Sequence, residues 1–312
     1  MSLTSIESTY QMLQAANRFL VAGGMPALFD VHLVGLGRHE GQATGLFTVH
    51  PDLLIGQVEK TQLIVIPAVY GDQDEILRNN RELIPWIIRH YRNGAEVASY
   101  CLGAYLLAAT GLLDGKPCTT HWLYAGAFRK RYPGAKLVDD KIVTEERGVY
   151  TSGGAFSSPN LLLHLIEKYA GREIAIQTAK TYAIDIDRRS QAAFVIFQGQ
   201  RAHDDETVKD IQVYIESHVA ERMMVGELAS RAGIGRRSLE RRFKEATGNP
   251  VGEYILRVKV EAAKRRLESD RGTVLTAMHD VGYTDVGAFR NSFRKVTGVT
   301  PQQYRKKYRR LG

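Results

Sequence analysis

Cysteine is scarce in this chain: Cys101 and Cys118 are the only two. Two cysteines exclude a disulfide framework, and without a Cys-x-x-Cys pair a zinc ribbon or finger is excluded as well. Apolar runs are short, and none approaches the roughly 18 residues a membrane span needs. Residues 1–25 show no basic segment followed by a continuous apolar one, so no secretory signal is expected. These absences point to a reducing cytoplasm, away from membranes. No metal and no bound cofactor is expected.

What is present is ordinary in amount and uneven in place. With 44% hydrophobic and 24% charged residues, the composition is that of a globular protein, and 312 residues favour two domains. The formal charge is +8. Residues 1–200 hold 19 basic and 19 acidic side chains, whereas residues 201–312 hold 23 and 15. The whole excess therefore sits in the last third, as in a polyanion-binding module joined to a neutral one. A solvated basic surface would give the same charge.

The first 170 residues alternate between two periodicities. FDVHLVGL (29–36), TQLIVIPAV (61–69), GAEVASY (94–100) and RGVYTSG (147–153) have strand character. Segments 5–20, 80–94, 102–111 and 158–171 have helix character. This alternation predicts an α/β domain with a mostly parallel sheet. A further helix and a polar connection follow. After it the pattern is helical only, with Val208, Ile211, Ile215 and Val219 on one face. The expected division is 1–190, a linker over 191–206, and an all-α domain over 207–312.

The basic region contains an internal repeat. ELASRAGIGRRSLERRFKEATG (227–248) and AMHDVGYTDVGAFRNSFRKVTG (277–298) share one layout. Leu239, Phe243, Thr247 and Gly248 recur as Phe289, Phe293, Thr297 and Gly298. Each copy reads as a helix, a turn with glycine (Gly233, Gly282), and a second helix, which is the helix-turn-helix pattern. Spacing of four puts each apolar pair on one face. The opposite face then carries Arg237, Glu240, Arg241 and Lys244 in the first copy, and Arg290, Asn291, Arg294 and Lys295 in the second. Arg suits guanine and Asn suits adenine, while Lys and the distal Arg suit phosphates. The helical stretch 251–269 between the copies, about 28 Å long, can hold them at a separation that fits successive major grooves.

The segment 206–312 resembles the DNA-binding domain of the AraC/XylS family of transcription regulators, most specifically in DVGYTDVGAFRNSFRKVTGVTPQQYR. The resemblance implies seven helices, two helix-turn-helix units, operator DNA as partner, homodimers, and activation through RNA polymerase. Mapped onto this chain, it implies base contacts from Arg237, Glu240 and Arg241, then Gly287, Arg290 and Asn291. Gly287 has no side chain with which to reach a base edge.

In the first half, GAEVASYCLGAYLLAATGLLDGKPCTTHW (94–122) places a cysteine where a strand turns sharply into a helix. A helix N-terminus favours a thiolate, and a histidine such as His121 could take its proton. This stretch resembles the nucleophile region of the PfpI/ThiJ-like branch of the class I glutamine amidotransferase superfamily, and VYTSGGAF (149–156) resembles the glycine turn of the same pocket. The resemblance implies a flavodoxin-like fold. It also implies a small-molecule pocket formed by Ala68, Val69, Cys101, Leu102, His121, Trp122, Ser152, Gly153 and Gly154. Three departures from that family weigh against catalysis. No acidic residue closely follows His121, IPAVYGD (66–72) lacks a Gly-Gly pair, and Gln11 stands where related enzymes place a glutamate beside the cysteine. The family also opens with a strand before its first helix, and none precedes residue 5 here, so a longer natural chain is expected.

The sequence thus supports a sequence-specific DNA-binding regulator whose α/β domain senses a metabolite. An amino acid, an amine or a betaine is expected, with Trp122, Tyr100, Tyr105 or Tyr70 as a cation–π wall for a quaternary amine. A Cys101-dependent hydrolase or amidase fused to a DNA-binding domain is the alternative.

Overall fold

The computed structural model describes residues 2–309, apart from 38–41, 45, 46, 139, 189, 198, 202 and 270–272. The chain divides into two compact units, Met1–Gln191 and Ala192–Gly312.

The first unit is built on a four-stranded sheet of β1 (Leu63–Ile66), β2 (Glu96–Tyr100), β3 (Val143–Glu146) and β4 (Val149–Ser152). Their order is β1–β2–β4–β3. The first three neighbours run parallel, with Ile66 opposite Ser99 and Tyr100 opposite Ser152. Three strands therefore end at one level, and that level carries the candidate pocket. The fold is the expected flavodoxin-like α/β arrangement, with an addition. β3 pairs antiparallel with β4 through a two-residue turn at Arg147 and Gly148, both with positive φ (51° and 72°). Turns of that kind match strand twist and close hairpins.

Helices α1 (Leu3–Ala22), α2 (Gln73–Asn79), α3 (Leu83–Arg92), α4 (Gly103–Ala109), α5 (Ala125–Arg131), α6 (Ser158–Ala170) and α7 (Arg172–Thr181) complete the unit. α1, α6 and α7 pack together, and α4 packs against α2, α3 and the sheet. One apolar core joins them, with Val97, Tyr100, Leu107, Tyr150, Leu162 and Ile166 fully buried.

The strand expected over 29–36 is largely absent. Only Val34–Gly35 pairs, with Leu53–Leu54, outside the main sheet. Side chains take backbone groups that a strand neighbour would use: Asp52 accepts from the Leu33 N–H, and Asn17 on α1 holds the start of the segment. The Asn17 side chain accepts from the Leu28 and Phe29 N–H groups and donates to the Phe29 carbonyl. A side chain thus satisfies backbone groups that would otherwise need a strand neighbour.

The second unit holds seven α-helices among the described residues. They are α8 (Glu206–Ser217), α9 (Val225–Arg231), α10 (Arg236–Thr247), α11 (Val251–Glu268), α12 (Val274–Asp280), α13 (Val286–Thr297) and α14 (Pro301–Tyr308). The repeat folds as two helix-turn-helix units with the same fittings. Leu239 and Phe243, like Phe289 and Phe293, are buried. Thr247 and Thr297 each bond back to the carbonyl four residues earlier. Gly248 and Gly298 close α10 and α13 in the left-handed conformation, where a Cβ would be strained. Each unit has its own apolar core, and α11 contributes to both.

Most of the segment read as a linker is built into this second unit. The Lys264 ammonium donates to the Val195 carbonyl and to Glu261. Glu261 accepts from the Phe197 N–H, and Gln212 donates to the Gln200 carbonyl.

Candidate functional site

Two groups of residues carry chemistry, one at the strand ends of the α/β unit and one on the exposed faces of α10 and α13.

Cys101 follows β2 with φ of +52°, a left-handed backbone that a non-glycine residue holds only when its surroundings force it. Two hydrogen bonds supply that force. The Cys101 N–H donates to the Ser152 carbonyl at 3.0 Å, and the Thr120 hydroxyl donates to the Cys101 carbonyl at 2.8 Å. Gly103 opens α4 hard against β1, since a Cβ there would lie 2.6 Å from the Pro67 oxygen. Cys101 is 1% exposed. Its Sγ lies 3.8 Å from the Tyr70 hydroxyl. Burial pushes the thiol above its ordinary range, against the smaller lowering from the Tyr70 hydroxyl and the Leu102 N–H. Burial and the neighbouring sulfur likewise raise Tyr70. Cys118 is fully buried, and burial pushes it up to about 11.

His121 stands near the elbow but is not joined to it. Its Nδ1 accepts from the Leu123 N–H at 3.1 Å, which leaves the ring proton on Nε2. The Nε2 edge faces Gly154, where an added Cβ would lie 3.7 Å away. Burial lowers the His121 pKa, so the ring is neutral at pH 7. Among the described residues no hydrogen bond links His121 to Cys101, and no acidic group orients the imidazole.

A residue outside every motif completes this wall. Gln191 is 1% exposed and is the last residue of the α/β unit. Its Oε1 accepts from the Gly154 N–H at 2.8 Å, and its Nε2 donates to the Thr120 carbonyl at 3.0 Å and to the Thr119 hydroxyl at 3.3 Å. The amide lies close over Gly153, where an added Cβ would be 2.5 Å from the Gln191 Oε1. Thr120 thus holds Cys101 through its hydroxyl and Gln191 through its carbonyl. Three serine hydroxyls in the same strand ends and turns, at Ser99, Ser152 and Ser157, are buried without a partner among the described residues. Tyr70, Leu123 and Phe156 stay exposed, and Trp122 is half-buried against the His121 ring.

On the helical unit, Arg237, Glu240, Arg241 and Lys244 on α10, and Gly287, Arg290, Asn291 and Arg294 on α13, are all exposed. Arg241 is held by Glu245 at 3.1 Å, and Glu240 by Arg236 at the same distance. Arg237, Lys244, Arg290 and Arg294 have no ion-pair partner among the described residues, so four cations are presented in two rows. Gly287 lies behind the Asp285 cap of α13.

Comparison with known proteins fits this division. A DJ-1/PfpI family model matches residues 5–168, just over half of the chain. The chain belongs to the DJ-1/PfpI family. A helix-turn-helix domain model matches residues 228–307. Related proteins include the HTH-type transcriptional regulators GbdR and CdhR of Pseudomonas aeruginosa. GbdR is 23% identical over 97% of this chain and 81% of its own length; CdhR is 25% identical over 97% and 88%. A crystal structure described as a transcriptional regulator protein from Vibrio parahaemolyticus has the same α/β fold, with a TM-score of 0.52 at 21% identity over 57% of this chain and 91% of that one. This DJ-1/PfpI protein is accordingly a DNA-binding transcription regulator with an AraC-type domain.

Against that family's pattern, three sequence-based placements need correction. Gln11 is exposed on α1 and donates to Glu7, so it does not stand beside the cysteine. The side chains of α1 that reach the elbow region are Ser5, bonded to the Ala68 N–H, and Thr9, bonded to the Tyr100 hydroxyl. Tyr100 is therefore locked under the sheet, and Tyr105 packs edge-on against Phe128 and Tyr132. Neither can wall a pocket for a cation, which leaves Tyr70 and Trp122. The contact of Tyr70 with Cys101 and the role of Gln191 were not legible in the sequence. Gln191 sits in a polar stretch with no periodicity to mark it.

Among the described residues, no helix is long and apolar enough to cross a membrane, and no cluster of His, Cys, Asp or Glu is suited to a metal ion.

Proposed function

We propose that the α/β unit is a metabolite sensor, not an enzyme, and that it governs operator binding by the helical unit. The effector would lie against Ala68, Val69, Cys101, Leu102, His121, Trp122, Ser152, Gly153 and Gly154. Cys101 acts there as a wall. A thiol raised by burial, facing a tyrosine hydroxyl and not a base, stays protonated at neutral pH and is a poor nucleophile. The buried serine hydroxyls favour a polar ligand, because each unpartnered group costs about 1–3 kcal/mol. Tyr70 and Trp122 suit an amine or betaine headgroup.

The observation that carries the regulatory reading is the seat of Gln191 in the glycine turn of the pocket. An effector that moves Gly154 or His121 moves the residue from which the connection departs. Four residues later, at Val195, the chain is gripped again, by Lys264 on α11. Effector binding can shift the DNA-binding equilibrium only through a difference in affinity between two states, and this short strap supplies a place for that difference. On DNA, Arg237, Glu240, Arg241, Arg290 and Asn291 read base edges, and Lys244 and Arg294 bind phosphates. Homodimers acting on RNA polymerase in the cytoplasm complete the proposal.

The test is a thermal-shift screen of the full chain against amino acids, amines and betaines, followed by operator binding with each hit. A true effector raises Tm by mass action and changes operator affinity. Gln191→Ala should diminish the change in operator affinity by more than it diminishes the Tm shift. The left-handed backbone at Cys101 favours the hydrolase alternative, which requires ester or amide turnover that disappears in Cys101→Ser.

A further inference from the structure

The two helix-turn-helix units have separate apolar cores. One ends along α11 at Val258 and the other begins at Val260. Lys259 lies between them, and it is only 8% exposed. Its Nζ donates three hydrogen bonds, to the Val219 carbonyl at 2.7 Å, the Glu221 carbonyl at 2.8 Å and the Val281 carbonyl at 2.8 Å. The first two carbonyls belong to the turn after α8, in the first unit. The third ends α12, in the second. Lys259 pairs with no carboxylate among the described residues, and burial lowers its pKa. The Tyr283 ring centroid lies 5.9 Å away. Beside it Gly282, at φ of +74°, presses on the same turn, where an added Cβ would lie 2.0 Å from the Ala220 oxygen. α13 begins four residues later, at Val286.

Separate cores do not fix the tilt of one unit against the other. A buried ammonium with three directed bonds does, because sliding either unit breaks at least one bond to a charged donor that water cannot replace. We infer that Lys259 is a positioning residue for operator reading: by tying the turn after α8 to the end of α12, it fixes the spacing and helical phase of the two base segments that α10 and α13 read. The inference rests on both recognition helices engaging one duplex.

The experiment uses the full chain and a duplex enriched by the wild type from a random library. Affinity is measured for that duplex and for versions with one base pair inserted or removed between the two protected segments. One base pair moves the second segment by about 3.4 Å and rotates it, so the wild type should lose about tenfold or more. Lys259→Met should bind the parent about tenfold more weakly and tolerate the insertion to within about threefold. Its base preference within each segment should be unchanged. Lys259→Arg, which can still donate to three carbonyls, should restore the spacing penalty. Gly282→Ala, which pushes the same contact apart from the other side, should mimic Lys259→Met. It also stands in should the Met variant not fold. The inference is overturned if both variants keep the wild-type spacing penalty, including the case where they weaken all duplexes equally. A wild type that protects one segment only would overturn the two-segment reading itself, an outcome visible before any variant is made.

Discussion

The α/β unit buries the residues that shape its elbow, and the helical unit displays its candidate readers. Cys101 and Gln191 are each 1% exposed, whereas every candidate base reader on α10 and α13 is exposed. The difference follows from the partners. A duplex is a large polyanion met at the surface, so its readers must project and carry charge. A small molecule must be enclosed, so its site is made by backbone conformation and buried polar groups. Substitutions should therefore act differently in the two places: through packing and shape in the first, through sequence preference and salt in the second.

The strongest way to sharpen that contrast is at Gly103. A methyl group there meets the Pro67 oxygen at 2.6 Å and the Ile66 oxygen at 2.9 Å, both backbone. Gly103→Ala should cost the α/β unit about 2–4 kcal/mol, read as a lowered midpoint for its denaturant transition with that of the helical unit unchanged. Next come the readers. Arg237→Ala and Arg290→Ala should each cost about 1–3 kcal/mol of binding and relax preference at particular base pairs. Lys244→Ala should weaken all duplexes alike and reduce the salt slope by about 1. Identical behaviour of the three would break the division into base and phosphate contacts.

A smaller effect is expected at Asp205, which caps α8 through the Val208 N–H and is paired with Arg242. The guanidinium holds its carboxyl below the usual carboxylate range. Its folded pKa lies below the unfolded value of about 3.9, so its contribution is complete above that pH and is lost as pH falls through the folded value. Acid unfolding of the helical unit, followed by circular dichroism, should therefore be less steep below about pH 4 in Asp205→Asn. The smallest change is at the thiol. Cys101→Ser should leave effector-dependent transcription within about twofold of wild type, since a protonated wall residue contributes contact and not chemistry. Loss of regulation in a folded Cys101→Ser protein would make the sulfur more than a wall.

How far the sequence could be read follows the same contrast. The repeat was legible because both copies obey one apolar spacing, and Phe243 and Phe293 are buried where that spacing puts them. The elbow was legible because Cys101 and Gly103 bracket a change of periodicity. Three features were not. The 29–36 strand gave way to side-chain bonds from Asn17 and Asp52, which no pattern reveals. Gln191 and Lys259 act by donating to or accepting from backbone groups distant in sequence, and such partners leave no spacing. Tyr100 and Tyr105 carried a cation-binding side-chain type, but their face of the sheet and helix was set by packing against Thr9 and Phe128.

The exposed faces of α10 and α13 imply that one chain reads DNA with two helices at once. Hydroxyl-radical footprinting of the full chain on a duplex selected by it tests this most directly. Two protected segments per protomer are expected, on one face of the duplex and about one helical turn apart. A single protected segment per protomer, unchanged in Arg290→Ala, would contradict it.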